Sequence, residues 1–207
     1  MTSLYSYVVR YDSGFAPNPF YGYCTLATCK PKIRNSATVG DWVIGCGSRS
    51  LGRAGYLVYA MRVTETLRFD QYNTDIRFRS KKPFRSGSRK QSCGDNIYYR
   101  AAEHEPWKQR DSFQSHSDGT INLDHVSRDT GTDKVLISDD FIYFGGEGPQ
   151  FLPVLRNKEG RSLCTNSRGY NRFYDSQLIK DFEQWINSFR LHGYQGAPSE
   201  WLTLRRE

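Results

Sequence analysis

The alternation of apolar and polar residues predicts several short β-strands along the chain. The clearest is 54–67, where Leu57, Tyr59 and Met61 point to one face and the residues between them to the other. Together with the run "VGDWVIGCGS" (39–48), this strand predicts a β-hairpin or meander over 42–63. Further strands, rich in β-branched and aromatic residues, are predicted at 4–11, 97–101, 134–138 and 141–146.

A helical period replaces the alternation near the end of the chain. Its apolar positions recur at i, i+1, i+4, i+7, i+8 and i+11, and they are Leu178, Ile179, Phe182, Trp185, Ile186 and Phe189. Asp175 or Ser176 can cap the start, and Gly193 follows the end. We therefore predict an amphipathic helix over about 176–192 that packs against the sheet.

These elements favour an α+β fold. About six short strands, two or three helices and long polar loops are typical of a small, partly open β-barrel with covering helices. The 207 residues suit a single domain over 1–207. Within it, the polar segment 79–96 is predicted to be a basic loop insertion.

Charge narrows the class of partner. The net charge is +7, and ten Lys or Arg but only three Asp or Glu lie between residues 76 and 110. The segment 118–150 has the opposite balance, seven acidic and two basic residues. A regional positive charge is what a polyanion-binding patch requires, so nucleic acid is the expected partner, with protein partners as a further possibility.

Other classes of function find little support in the sequence. No leader or membrane-spanning segment is predicted, and the five cysteines fit free thiols in a cytoplasmic protein. Zinc binding by Cys24 and Cys29 is an alternative, although their spacing is not that of a zinc knuckle. His104, His116 and His125 match no known spacing, and no nucleotide-phosphate loop or nucleophile elbow is present. We predict no cofactor and no metal.

An aromatic and basic cluster at 18–34 is the strongest candidate site. Rings beside cations suit base stacking next to phosphate contacts. The predicted base-binding residues are Asn18, Phe20, Tyr21, Tyr23, Gly47, Ser48 and Asn96. The predicted phosphate-binding residues are Lys30, Lys32, Arg34, Arg49, Lys81, Lys82, Arg85 and Arg89. Both sets have a structural alternative. The rings can close one end of the barrel, and the basic residues from Lys81 to Arg89 can form a solvent-exposed face.

The small residues Gly45 to Ser48 end a strand, and two explanations fit them. A sharp corner requires residues without bulk, and so does the close approach of a ligand to the backbone. Asn96, in a Gly-Asp-Asn turn, can read a base edge with its amide or can belong to the turn itself.

The order of these segments resembles the PUA-like superfamily, which includes the EVE, ASCH and YTH types. It carries a strand, an aromatic loop, a short helix, the Gly-Asp hairpin "VGDWVIGC" and the strand "GYLVYAMRVTE". The segments "YSYVVRYDSGFAPNPFYGYCTLATCKPKIR", "CGDNIYYR" and "DDFIYFGG" resemble more closely the second type of nucleotide-modification-associated domain. This resemblance covers much of the chain.

The resemblance implies a module that recognises a modified base of a nucleic acid or nucleotide in a DNA-modification or defence context. One ASCH branch implies an alternative, a hydrolase of modified nucleosides, with Lys30, Lys32 and Thr28 as catalytic candidates. "TCKPKIR" (28–34) lacks the acidic residue of that pattern, which favours a protein without catalysis. A third possibility is an interaction subunit of a modification or defence complex.

Overall fold

The computed structural model describes residues 2–164 and 169–203. The chain divides into two compact units, each built from separate stretches of sequence. The first unit comprises Met1–Ser13, Ala37–Thr64 and Ser138–Glu207, and the second comprises Gly14–Ser36 and Glu65–Ile137.

Both units contain strands and helices. The strands are β1 Leu4–Val9, β2 Cys24–Leu26, β3 Trp42–Gly47, β4 Leu57–Arg62, β5 Glu65–Arg68, β6 Tyr98–Tyr99, β7 Lys108–Gln109, β8 Lys134–Ser138, β9 Asp140–Tyr143, β10 Tyr170–Phe173 and β11 Gly193–Tyr194. The α-helices are α1 Pro31–Ser36, α2 Phe69–Thr74, α3 Arg89–Ser92, α4 Leu123–Thr130, α5 Ser176–Ser188 and α6 Ser199–Thr203. Three 3₁₀ helices cover Arg49–Leu51, Ile76–Lys81 and Gly145–Glu147.

The first unit contains a mixed six-stranded sheet in the order β10-β1-β3-β4-β9-β11. β1 runs parallel to β3, and β3, β4 and β9 form an antiparallel meander beside it. α5 packs its apolar stripe against one face of this sheet, in a core that includes Leu4, Ile44, Ala60 and Phe182. The residues that bury the helix are those whose spacing predicts it: Leu178, Ile179, Phe182, Trp185 and Ile186.

The Gly-Asp turn before β3 is held by its own side chain. The Asp41 carboxylate accepts hydrogen bonds from the backbone N–H of Ser3 at 2.7 Å and of Thr38 at 2.9 Å. Gly40 takes a φ of +93°, which a residue without a side chain adopts at no steric cost. The turn therefore sets the start of β3 by local chemistry.

Gly45, further along β3, is required by packing within the sheet. Tyr7, Gly45, Tyr59 and Tyr143 lie in one cross-strand row. A Cβ at position 45 would lie 2.4 Å from the ring of Tyr59. The absence of a side chain at position 45 makes room for that ring. Close packing within the sheet therefore explains this glycine.

The second unit is built around the three-stranded sheet β2-β8-β5 and the short pair β6-β7. Its core is rich in rings, with Phe69, Tyr72, Phe78 and Tyr98 all buried. α2 and the 3₁₀ helix Ile76–Lys81 supply three of these rings. Many of the rings in the second unit are therefore part of its core and are not available for stacking at the surface.

A fully buried arginine ties the second unit together. The Arg34 guanidinium donates to the carbonyl oxygens of Cys29 at 2.9 Å, Thr132 at 3.1 Å and Lys134 at 2.8 Å, and also to that of Asp129. Burial lowers the pKa of Arg34 to about 10. Helix α1, which carries Arg34, is thereby fixed to the chain that leads into β8.

The sequence predicts a small, partly open barrel. The large sheet is not a closed barrel: among the described residues it ends in the edge strands β10 and β11, so its hydrogen-bond ladder does not close. A barrel of the PUA-like type stays a prediction. Segment 79–96 is not a continuous loop, because it contains the end of one 3₁₀ helix and all of α3. That the whole chain forms one domain stays a prediction. None of the helices in 2–164 and 169–203 has the length and apolar character needed to cross a membrane.

Candidate functional site

A concave cleft of about 460 Å³ opens on the second unit. It is formed by the aromatic loop after Asn18, by the 3₁₀ helix and by α3 with the loop before it. Its lining residues are Tyr21, Arg79, Ser80, Lys82, Phe84, Ser88, Lys90 and Gln91. The lining includes three cations and two rings and contains no Asp or Glu.

The two rings of the cleft are exposed. Tyr21 is 39% and Phe84 58% accessible to solvent. Tyr21 has a φ of +62° and precedes Gly22 at +83°, and its ring lies 6.3 Å from that of the buried Phe20. Phe20 therefore anchors the loop while Tyr21 presents its ring to the cleft, an arrangement suited to stacking a flat ligand.

The side chains of the 3₁₀ helix Ile76–Lys81 lie on faces that repeat every three residues. Residues three apart in such a helix lie on the same face. Phe78 and Lys81 are buried, whereas Arg79 and Lys82 line the cleft. Because residues i and i+3 share a face, Phe78 and Lys81 both point into the core, and Arg79 and Lys82 both point into the cleft.

Positive charge is concentrated at this cleft. Within the described residues, neither Arg79 nor Lys82 has a carboxylate partner within 4 Å. Partial burial, together with the charges of Arg110 and Arg79, lowers the pKa of Lys82. Lys90 adds a third cation, an ammonium 5.7 Å from the centre of the Phe20 ring. An anion placed here would relieve the repulsion between like charges.

Helix α3 fixes the opposite rim of the cleft. Ser88 and Gln91 form a capping box in which the Ser88 N–H donates to Gln91 Oε1 at 2.9 Å. Gly87 allows close packing, since a Cβ there would lie 2.7 Å from the Phe84 ring. Phe84 is thus held at the edge of the cleft by a short, well-capped turn.

A buried lysine connects the walls of the cleft from below. Lys81 has no exposed surface, and its ammonium donates to Asn18 O at 3.0 Å, Asn18 Oδ1 at 2.6 Å and Tyr23 O at 2.9 Å. Desolvation lowers the pKa of Lys81 to about 8. Asn18 in turn donates to Gly14 O and Cys93 O. Lys81 therefore positions the aromatic loop relative to the 3₁₀ helix.

A buried carboxylate completes this polar core. Asp95 accepts from the hydroxyls of Thr25 at 2.8 Å and Tyr72 at 2.7 Å. Burial raises its pKa, while the charge of Lys81 acts in the opposite direction. Asn96 donates to Tyr72 O at 2.9 Å. The network is internal and supports the cleft without lining it.

A comparison with protein-family models matches residues 1–205 to nucleotide modification associated domain 2. The chain belongs to this family. Neither the curated proteins nor the solved structures contain a match to it. The family's description associates the chain with nucleotide-modification systems. Placement of this nucleotide modification associated domain in the PUA-like superfamily stays a prediction.

The predicted base-binding residues of this family member lie in different places. Tyr21 lines the cleft. Asn18, Phe20 and Asn96 are buried in the second unit, and Tyr23 packs on Phe78 with ring centres 5.3 Å apart. Gly47 and Ser48 belong to the first unit, where Ser48 caps a 3₁₀ helix by accepting from Ser50 N. The structure brings Tyr21 alone from this set to the cleft.

The predicted phosphate-binding residues also lie in different places. Lys82 lines the cleft, and Arg85 and Arg89 are exposed on the same stretch of chain. Lys81 and Arg34 are buried with their donors bound to protein oxygens, so neither faces a surface that a phosphate can reach. Lys30 is half-buried, Lys32 is exposed on α1, and Arg49 is exposed in the first unit.

The residues named for catalysis by the ASCH resemblance lie at the start of α1. Thr28 is buried, and burial lowers the pKa of Lys30. Lys32 is exposed. In the described chain, no three His, Cys, Asp or Glu side chains are grouped as a metal site. The hydrolase and interaction-subunit alternatives stay predictions.

Sequence reasoning missed several residues of the cleft. The residues of the cleft that are not among the predicted site residues are Arg79, Ser80, Phe84, Ser88, Lys90 and Gln91. The Ser-x-x-Gln spacing of 88–91 is a capping-box signal for a helix start. Together with the period of three in 78–82, it could have indicated which cations share a face.

Proposed function

We propose that the cleft of the second unit binds a nucleotide of a nucleic acid, with the base against Tyr21 and Phe84 and the phosphate against Arg79, Lys82 and Lys90. The observation that carries this proposal is the coincidence, in one concave site, of two exposed rings with three cations and no acid. Neither feature alone points to a nucleotide, because exposed rings and surface cations are both common.

The rings account for the base. Stacking a base on an aromatic side chain is worth about 1–3 kcal/mol and tolerates any base, since each has a π-face. Tyr21 also offers a hydroxyl, and Gln91 and Ser88 offer donors and acceptors at the rim. These neutral polar groups are the means by which a substituent on the base would be recognised.

The cations account for the phosphate. Arg79 presents a planar fork that suits two phosphate oxygens, and Lys82 and Lys90 act as point charges beside it. The cost of holding these charges together is offset when a phosphate enters. We therefore extend the proposal to recognition of a modified base in a nucleotide-modification context, which the family description supports.

Calorimetric titration with nucleoside monophosphates, modified and unmodified, tests the proposal. Phe84→Ala should weaken binding about 5- to 100-fold at an unchanged salt dependence, because a neutral ring releases no counterions. Tyr11→Ala, which removes an exposed ring of the first unit, is the matched control and should leave affinity unchanged. The proposal is wrong if a folded Phe84→Ala variant binds every nucleotide as the parent does.

A further inference from the structure

A second segment of the chain, residues 110–113, is connected to the segment that lines the cleft. Asn96 N donates to Lys81 O at 3.0 Å, and Arg110 N donates to Ile97 O at 2.9 Å. The segments that continue from Lys81 and from Arg110 are thus both joined to the Asn96–Ile97 backbone. Further along, Arg85 lies 3.8 Å from Asp111. The Arg85 side chain therefore connects segment 82–85 with segment 110–113.

Arg110, at the start of this second segment, is a cation held by neutral groups. Its guanidinium lies 4.1 Å from the centre of the Tyr99 ring and donates to Asn73 Oδ1 at 2.8 Å. Within the described residues no carboxylate lies within 4 Å of it. Tyr99 and Asn73 fix its orientation but leave its charge uncompensated.

The charge of Arg110 acts on the rim of the cleft, because it is one of the charges that lower the pKa of Lys82. Beyond Arg110, Phe113 is 44% exposed, and the Arg85 guanidinium lies 4.8 Å from its ring centre. Between Arg110 and Phe113 lies Asp111, whose carboxylate is 3.8 Å from Arg85. The groups outside the cleft are therefore a cation without a carboxylate partner, an acid paired with Arg85, and an exposed ring.

A mononucleotide leaves these outer groups unused. The cleft volume of about 460 Å³ lies in the range of small-ligand pockets and suits one nucleotide. Arg110 does not line it. A ligand that uses both sets must carry a second phosphate outside the cleft.

We infer that the partner of this site is a single-stranded polynucleotide, with one nucleotide in the cleft and the next phosphate between Lys82 and Arg110. This inference rests on the proposed function of the cleft. A single strand is favoured because the exposed rings contact base faces, and in a duplex those faces are covered by neighbouring base pairs. Phe113 is then placed to contact the following base.

A length series on the unaltered protein tests the inference directly. Thymidine 5′-monophosphate and 5′-phosphorylated oligothymidylates of two and four nucleotides are titrated at several salt concentrations, so that each added nucleotide adds one phosphate. Affinity should rise about tenfold from one to two nucleotides, the effect of one charge-assisted hydrogen bond. The slope of log affinity against log salt should steepen by about 0.7 for that one phosphate.

Arg110→Gln isolates the outer contact. The variant should bind the monophosphate as the parent does and should lose the tenfold gain with the dinucleotide. Lys180→Gln, which removes one exposed charge from α5, is the control for net charge and should behave as the parent. A thermal unfolding transition establishes that Arg110→Gln is folded; if it is not, the length series alone decides.

The outcomes separate the two proposals. If the monophosphate fails to bind, or ignores Phe84→Ala, the proposed function fails. If it binds through Phe84 but one and four nucleotides bind equally, or Arg110→Gln keeps the full gain, the inference of a polynucleotide is overturned. If a blunt duplex binds as tightly as the single strand of the same sequence, the assignment of a single strand is overturned.

Discussion

Replacing Lys81 by Met separates the internal role of this lysine from the ligand-binding role of its neighbour. Lys81→Met keeps the length and most of the volume of the side chain but removes the ammonium. Lys82→Met makes the same chemical change one residue further, on the face that lines the cleft. The pair therefore serves as variant and matched control.

The magnitude follows from the oxygens that lose their donor. Lys81 donates to Asn18 O, Asn18 Oδ1 and Tyr23 O, but Asn18 O also accepts from Thr25 N at 2.9 Å and stays satisfied. Two buried acceptors lose the donor that Lys81 supplies, at about 1–3 kcal/mol each. Relief of the buried charge offsets part of this cost. We expect the free energy of unfolding to fall by about 3 kcal/mol.

The effect should depend on pH in a defined direction. The pKa of Lys81 is about 8 when folded, against 10.5 for an ordinary lysine. Below pH 8 both folded and unfolded chains hold the proton, so the full cost of burying the charge is present. Between pH 8 and 10.5 the unfolded chain binds more protons, and the contribution of Lys81 to the free energy of unfolding therefore rises with pH. The rise is about 2 kcal/mol between pH 7 and 9.5.

Urea unfolding at pH 7 and pH 9.5, followed by tryptophan fluorescence, measures both effects. The stability difference between the parent and Lys81→Met should grow with pH, whereas Lys82→Met should change stability by less than about 0.5 kcal/mol at either pH. Nucleotide affinity should fall in Lys82→Met. A Lys81→Met protein within about 1 kcal/mol of the parent at both pH values would refute the assignment of Lys81 to the polar core.

Two further substitutions test packing in each unit. Gly45→Ala should lower the free energy of unfolding by about 1–3 kcal/mol, because the new Cβ would lie 2.4 Å from the Tyr59 ring; an unchanged urea midpoint would contradict this packing. Arg34→Met should destabilise the second unit by about 3–5 kcal/mol, since it removes the donor from the Thr132 and Lys134 carbonyls. A folded Arg34→Met protein that has lost only nucleotide affinity would instead place Arg34 at the phosphate.

Local periodicity predicts the elements that carry their own signal. The apolar spacing in 176–192 identifies the residues buried in α5, whereas the single strand predicted over 54–67 is β4 followed by the start of β5. α4 was missed because its eight residues, "LDHVSRDT", are mostly polar and bury only Val126 and Asp129. β10 was missed because only Phe173 of its four residues is buried, whereas β9, equally short, carries a run of three buried residues.

The candidate site was harder to predict than the fold. Neighbouring lysines 81 and 82 are identical in sequence terms, and only the 3₁₀ geometry assigns one to the core and the other to the cleft. The strand order of the large sheet includes the parallel pairing of β1 with β3, which no local pattern encodes. What the sequence did indicate is the combination of rings and cations, of which Tyr21 and Lys82 meet in the cleft.

The interleaving of the two units has a consequence for synthesis on the ribosome. Arg34 cannot form its hydrogen bonds until residues 132 and 134 have been synthesised. Similarly, β1 cannot pair with β10 until residues 170–173, more than 160 positions later, have been added. Most of the chain therefore emerges before either unit can be completed, and contacts so distant in sequence form slowly. The nascent protein exposes its aromatic segments throughout this interval. A fragment ending before residue 134 cannot complete the second unit, and no single uninterrupted cut of the chain isolates that unit alone.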